Sequence, residues 1–337
     1  MTIVNRKIFW AAVLALACAW AAPAALHAAT LGSDVIGMFP ANTGEFAYAD
    51  LKQARGLSWF PQLKEQMLPE RFRQFETFLA SAGVDPNSQV EELAWAMVPS
   101  VPASGASADA VPTSEEVVGV ALGAFRPESA EAYFKTQKLA VVKIRNFSLY
   151  AFGSGSGAGD LFFFFIDSNT AAFGQRRQLE KLIAVRYGEE RGLLSNTELA
   201  PLITQANGSG VVWAVLSASY AHLAMQQLVP ETAQFPQAQQ LVSKLKALTI
   251  EITASTGVQA SFLAVCASPT DANTFAALLQ AGLMYQRYQV GSSNPDLAAM
   301  LDQARIVPSG DRLEIHLALT NDQVVSLIRR NTFAMHL

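Results

Sequence analysis

Residues 248–266, Leu248-Thr249-Ile250-Glu251-Ile252-Thr253-Ala254-Ser255-Thr256-Gly257-Val258-Gln259-Ala260-Ser261-Phe262-Leu263-Ala264-Val265-Cys266, read as two strands paired about Thr256-Gly257. Apolar and β-branched residues fill both arms, and the glycine marks the turn. The same plan stands earlier in the chain, where Leu93 to Val98 and Val117 to Phe125 read as strands. They are joined by Pro99 to Ser114, a stretch of Pro, Ser, Ala and Gly expected to be a mobile loop. Two hairpins of antiparallel type, far apart in one chain, set the question of a repeat.

Working outward, each hairpin has matching neighbours. Phe46 to Asp50 alternates large and small residues after the turn-rich Pro40 to Gly44 and reads as a strand, as does Val211 to Val215. Helices are expected from Pro69 to Ala82 and from Ser219 to Leu228 and Pro236 to Leu245. In the first of these Phe72, Phe75, Phe78 and Leu79 share a face at helical spacing, and Gly83 stops it. After each hairpin a proline-led helix follows, Pro127 to Lys138 and then Ser268-Pro269 through Tyr288.

The first half continues with strands Phe147 to Phe152, Leu161 to Ile166 and Thr170 to Phe173, a meander with turns at Gly153–Gly159 and Asp167–Asn169. A helix from Gln175 to Val185 follows, and Asn196 or Thr197 caps another. The second half ends in a helix from Asp296 to Ala304, a strand from Arg312 to Leu319 and a helix from Asn321 to Arg330.

The order strand, helices, hairpin, helix, strand thus recurs at a spacing of roughly 145 to 165 residues. The expected fold is α+β: two similar lobes, 30–190 and 191–337, of mainly antiparallel sheet with helices packed on one face. The strands form two sheets or the halves of one long sheet.

Residues 1–29 read as a cleaved signal peptide. Arg6 and Lys7 are followed by the uncharged apolar run Ile8 to Ala22 and by Leu26-His27-Ala28-Ala29. The rival readings are an uncleaved membrane anchor, since Ile8 to Leu26 approaches the roughly 20 residues a bilayer needs, and a lipidated Cys18. Against lipidation, Ala15 stands where a lipoprotein box prefers Leu, and Ala19 to Ala22 remain apolar. Cleavage places the mature chain in the periplasm or outside the cell.

Removing Arg6 and Lys7 takes the 24 basic residues to 22 against 28 acidic ones, so the net charge moves from −4 to −6. A mildly acidic chain argues against nucleic acid as its partner. Only Cys266 is left of the two cysteines, which excludes an intramolecular disulfide. Past residue 29 no apolar run reaches the length of a transmembrane segment. With 51% hydrophobic and 15% charged residues, the chain buries an unusual share of itself or exposes an apolar surface.

On Phe39-Pro40-Ala41-Asn42-Thr43, Phe46 to Leu51, Gly83-Val84-Asp85-Pro86, Phe165 to Gly174 and Leu194 to Leu199, the chain resembles bacterial exported proteins of unknown function with duplicated α+β lobes. These stretches are turns and strand ends. The resemblance covers residues 38 to 325, implies a fold, and implies no catalytic residue.

The chemistry-bearing residues do not converge in the sequence. His222, His316 and His336 are scattered and read as surface or packed residues rather than as metal ligands. Cys266 ends an apolar strand and reads as a core thiol. The Gly153–Gly159 loop lies between strands, so it suits neither a nucleophile elbow nor a phosphate cradle. Glu91-Glu92, Glu115-Glu116 and Glu189-Glu190 are adjacent pairs whose side chains diverge on a strand.

Phe162-Phe163-Phe164-Phe165-Ile166 reads as a strand covered on both faces, or as an apolar groove if one face is open. Trp59-Phe60-Pro61 reads as core before partner contact, and Arg176-Arg177 and Arg329-Arg330 as helix-end charges. The expectation is a non-enzymatic exported binding or scaffold protein without a cofactor or metal. It would bind a protein, peptide or lipid-like partner in the cell envelope. The alternative is a periplasmic hydrolase with unassigned carboxylates.

Overall fold

The computed structural model describes residues 29–67, 70–99, 115–157, 159–228, 240–254, 257–291 and 293–329. The expected signal segment, Cys18, Pro69, most of the Pro99–Ser114 loop, Thr256, the start of the Pro236–Leu245 helix, Arg330 and His336 lie outside the described residues.

Apolar runs bounded by turn residues become strands wherever the sequence alternates or is continuously apolar. In the first half these are β1 (Glu45–Asp50), β2 (Val90–Pro99), β3 (Glu115–Gly123), β4 (Val141–Ile144), β5 (Phe147–Phe152), β6 (Leu161–Phe165) and β7 (Thr170–Gln175). In the second they are β8 (Val212–Ser217), β9 (Leu245–Ala254), β10 (Gly257–Cys266), β11 (Arg305–Ser309) and β12 (Arg312–Thr320). All belong to one 12-stranded antiparallel sheet in the order β11-β12-β10-β9-β8-β1-β2-β3-β7-β6-β5-β4.

The order mirrors itself about the β1–β8 pair. Outward from that pair, β2, β3 and β7 on one side answer β9, β10 and β12 on the other. The opening hairpin, β9–β10, runs in register from Val258↔Ala254 to Val265↔Ala247, and its counterpart β2–β3 pairs Trp95 with Gly119. Of the two arrangements left open by the sequence, the structure has the single long sheet.

The central pair explains the join. Every residue of β1 is buried, as are five of the six residues of β8, and Ala47 faces Ala214 across them. On one face Phe46, Tyr48 and Trp213 pack together, with Tyr48 and Trp213 stacked at 5.5 Å and 25°. Such ring pairs contribute roughly 0.5–1.5 kcal/mol beyond area burial. This core is covered by helices Ser33–Gly37, Arg176–Arg186 and Leu199–Ala206 through Val35, Leu179, Leu182 and Ile203.

The opposite face carries most of the helices. Phe60–Met67, Ala218–Leu228, Pro269–Val290 and Asn321–Arg329 pack there against Ala47, Ala214 and Ile250, and Glu70–Ser81 and Pro127–Thr136 cover the β3, β5 and β6 region. Trp59 is buried in this core, and its Nε1 donates to Asn321 Oδ1 at 2.9 Å, tying the first half to the last helix.

Caps fall where short polar side chains precede helical runs. Ser268 accepts from Asp271 N, and Asn196 Oδ1 accepts from the amides of Glu198 and Leu199. The structure adds two strands absent from the sequence reading, β4 and β11, and both are edges of the sheet. Their exposed residues include Lys143 and Arg305, and β11 also holds Pro308. Charge and proline on an edge oppose further strand pairing.

Candidate functional site

The four-phenylalanine strand β6 divides its side chains between the two faces. Phe162 and Phe164 pack into the Tyr48–Trp213 core, while Phe163 and Phe165 point to the other side. There the sheet and helix Glu70–Ser81 line a half-open cavity of about 270 Å³. Its floor is Leu93 and Trp95 of β2, Val117 and Ala121 of β3, Phe163 and Phe165 of β6, and Ala171 and Phe173 of β7. Its roof is Phe72, Phe75, Glu76 and Leu79, the helix face that the sequence spacing predicts.

Aromatic rings hold the roof to one side of the floor. Phe75 lies 5.4 Å from Phe163 and 5.2 Å from Phe152, and Phe134 meets Phe163 edge-on at 5.0 Å. Small floor residues keep the space open. Phe173 lies over Gly119, its partner across the β3–β7 pair, so closely that a Cβ there would come within 2.2 Å of the ring. Of the described residues lining the cavity, Glu76 alone is charged. Such a lining suits an apolar ligand with one polar end.

Pro86 and Val90 line the cavity, and two cations flank that segment. Lys64 Nζ lies 2.6 Å from both Glu76 Oε1 and Asn87 Oδ1. Arg55 Nη1 donates to the Val90 carbonyl at 2.7 Å. Arg55, Lys64 and Glu76 are absent from the sequence reading. They come from three separate helical segments, and no local spacing joins them.

The residues singled out in the sequence do not assemble into a second site. His222 is buried, with Nε2 2.9 Å from the Leu245 carbonyl. Cys266 is fully buried, and burial, with the charges of Asp271 and Asp311 behind it, pushes its thiol up to about 11, far from thiolate chemistry at neutral pH. In the glycine loop Asp160 Oδ2 accepts from Gly155 N at 2.7 Å, Gly157 N at 3.0 Å and Ser154 Oγ at 2.9 Å. The amides that could cradle a phosphate there are already held by the loop's own carboxylate.

The carboxylate pairs diverge. Glu91 pairs with Lys52, whereas Glu92 accepts from Tyr48 at 2.9 Å. Glu189 pairs with Arg145, and Glu116 accepts from Gln178. Glu115 instead approaches Glu45, a carboxyl missed in the sequence because it opens an otherwise apolar strand. Glu45 is 0% exposed, and burial, followed by the charge of Glu115, raises its pKa well above the usual range. Glu45 is shut off from solvent, whereas Glu115 is half-buried.

His316 does meet chemistry-bearing neighbours. Its Nδ1 is 3.0 Å from Ser261 Oγ and its Nε2 is 3.3 Å from Glu314 Oε2. The serine sits in mid-strand between β9 and β12, where the surrounding amides serve the ladder. Acyl transfer needs free N–H donors beside the nucleophile for the developing oxyanion, and a paired central strand supplies none.

No group of three metal-ligating side chains gathers among the described residues, and no helix there is long and apolar enough to cross a membrane. Neither a family model nor a curated protein matches the chain. Among solved structures, crystal form I of TP0453 is similar over 90% of this chain and 99% of its own, with a TM-score of 0.49 and 12% identity. Crystal form III of TP0453 is similar over 89% and 99%, with a TM-score of 0.48 and 11% identity.

Proposed function

We propose that this is an exported, non-enzymatic binding protein of the periplasm or the extracellular space, and that it holds an apolar ligand in the cavity beneath helix Glu70–Ser81. The observation that carries the reading is that cavity: about 270 Å³, walled by aromatic and aliphatic side chains, with one charged residue in its lining. Apolar surface of this kind left facing water is unfavourable, and a bound apolar ligand covers it. The Arg6-Lys7 start, the apolar run and the small-residue end of residues 1–29 support export.

The test is titration with an environment-sensitive apolar fluorophore. Saturable binding is expected for the wild type, and Ala171→Phe, which fills the floor, should abolish it while the far-UV circular dichroism is unchanged. Equal binding by a folded Ala171→Phe variant would refute the cavity as the site. Mass spectrometry of protein from the native host should give an N-terminus near Ala29 or Thr30; an intact Met1 or a lipid on Cys18 would overturn cleavage.

A further inference from the structure

We infer that the ligand is a single-chain amphiphile with an anionic head, its chain in the cavity and its carboxylate or equivalent oxyanion on Arg55; this rests on the cavity being a binding site. The two cations flanking Pro86–Val90 differ in what they have left to give. Lys64 is engaged by Glu76 and Asn87. Arg55 makes one hydrogen bond, to the Val90 carbonyl, and has no carboxylate partner among the described residues. A guanidinium has five N–H donors in a planar fork suited to two oxygens, so most of its capacity is not taken up by the described residues.

Asp85, next to Pro86 and close enough to Lys64 for their charges to interact, joins Glu76 in balancing Lys64 and Arg55, so the four sum to no net charge. The preference for an anionic head rests on the unused donors of the guanidinium, which a neutral or cationic head would leave without a counterion.

The size of the space limits the chain. A water molecule occupies about 30 Å³ of liquid and a methylene is of similar size, so about nine chain carbons fill 270 Å³. Each methylene transferred from water to an apolar site is expected to tighten Kd about fourfold.

The experiment is calorimetric titration with unbranched alkyl carboxylates from six to fourteen carbons, alongside the matching alcohols and alkyltrimethylammonium ions. Kd should tighten about fourfold per carbon and level off near ten carbons. Carboxylates should bind about tenfold or more tightly than alcohols of equal length, the range for a charge-assisted hydrogen bond. Arg55→Gln should remove that preference and leave alcohol binding unchanged, and Arg55→Lys should restore part of it. Equal affinity for carboxylate and alcohol, or equal loss of both in a folded Arg55→Gln variant, overturns the head assignment and leaves the cavity reading standing. Failure of every chain in the series to bind overturns both.

Discussion

Glu45 gives the sharpest handle on the physics of this sheet. It opens β1 between Met97 of β2 and Leu216 of β8, is 0% exposed, and neither carboxyl oxygen has a hydrogen-bond partner among the described residues. Burial first and the Glu115 charge second hold its pKa well above the ordinary 4.5. The unfolded chain releases this proton near 4.5, and the folded chain only at higher pH. Between those two points the folded state carries one more proton than the unfolded state. Stability therefore falls as pH rises, by about 1.4 kcal/mol per pH unit, and levels off above the folded pKa.

Glu45→Gln keeps the shape and removes the titration. Its amide is as poorly partnered as the acid, but that cost does not vary with pH. Urea unfolding followed by tryptophan fluorescence at pH 5, 6 and 7 should give a difference between variant and wild type that grows in the variant's favour. The growth is up to about 2.7 kcal/mol over two pH units. Glu92 and Glu251, whose pKa values burial also raises, remain in both proteins and cancel in the difference. A difference that stays constant from pH 5 to 7 would show Glu45 ionised or paired in the folded chain, and the argument would fail.

Two further outcomes follow from backbone strain and from burial. Lys138 ends the Pro127–Thr136 helix at φ +54°, exposed, with its amide on the Lys135 carbonyl. Lys138→Gly should raise stability by roughly 0.5–1 kcal/mol in chemical denaturation, since a non-glycine residue is disfavoured there by more than the glycine loosens the unfolded chain; a loss would show that the lysine side chain contributes something the geometry does not. The Cys266 thiol, at about 11 and buried, should resist iodoacetamide at pH 8 in the folded mature protein and react across the unfolding transition. Rapid labelling of the native state would contradict its place in the core.

Where the sequence was legible, local pattern and tertiary need agreed. Helix Glu70–Ser81 was readable because Phe72, Phe75 and Leu79 recur at helical spacing, and that face is the one turned to the cavity. The edges were not readable. Val141–Ile144 and Arg305–Ser309 are short, half-exposed and charged, and edge strands with those features resemble loops. The turn between β4 and β5 uses Arg145 at φ +55°, where a glycine would have signalled the hairpin. Nor does any local signal announce that β1 pairs with β8. Both strands are apolar, and only long-range packing decides that Ala47 should face Ala214.

The cavity lay half in view. Phe162–Ile166 supported two readings, a strand covered on both sides and an apolar groove, and the structure contains both because alternate rings meet different partners. Phe162 and Phe164 find a dense core, whereas Phe163 and Phe165 look across Ala121 and Ala171 to a helix that does not reach them everywhere. The decisive residues are thus the small ones. Ala121 on β3 and its partner Ala171 on β7 both line the cavity, and each lowers the floor where a valine would have filled it. A strand of alternating small and large residues reads like any other strand until the opposing helix is known. The cavity then follows from that composition.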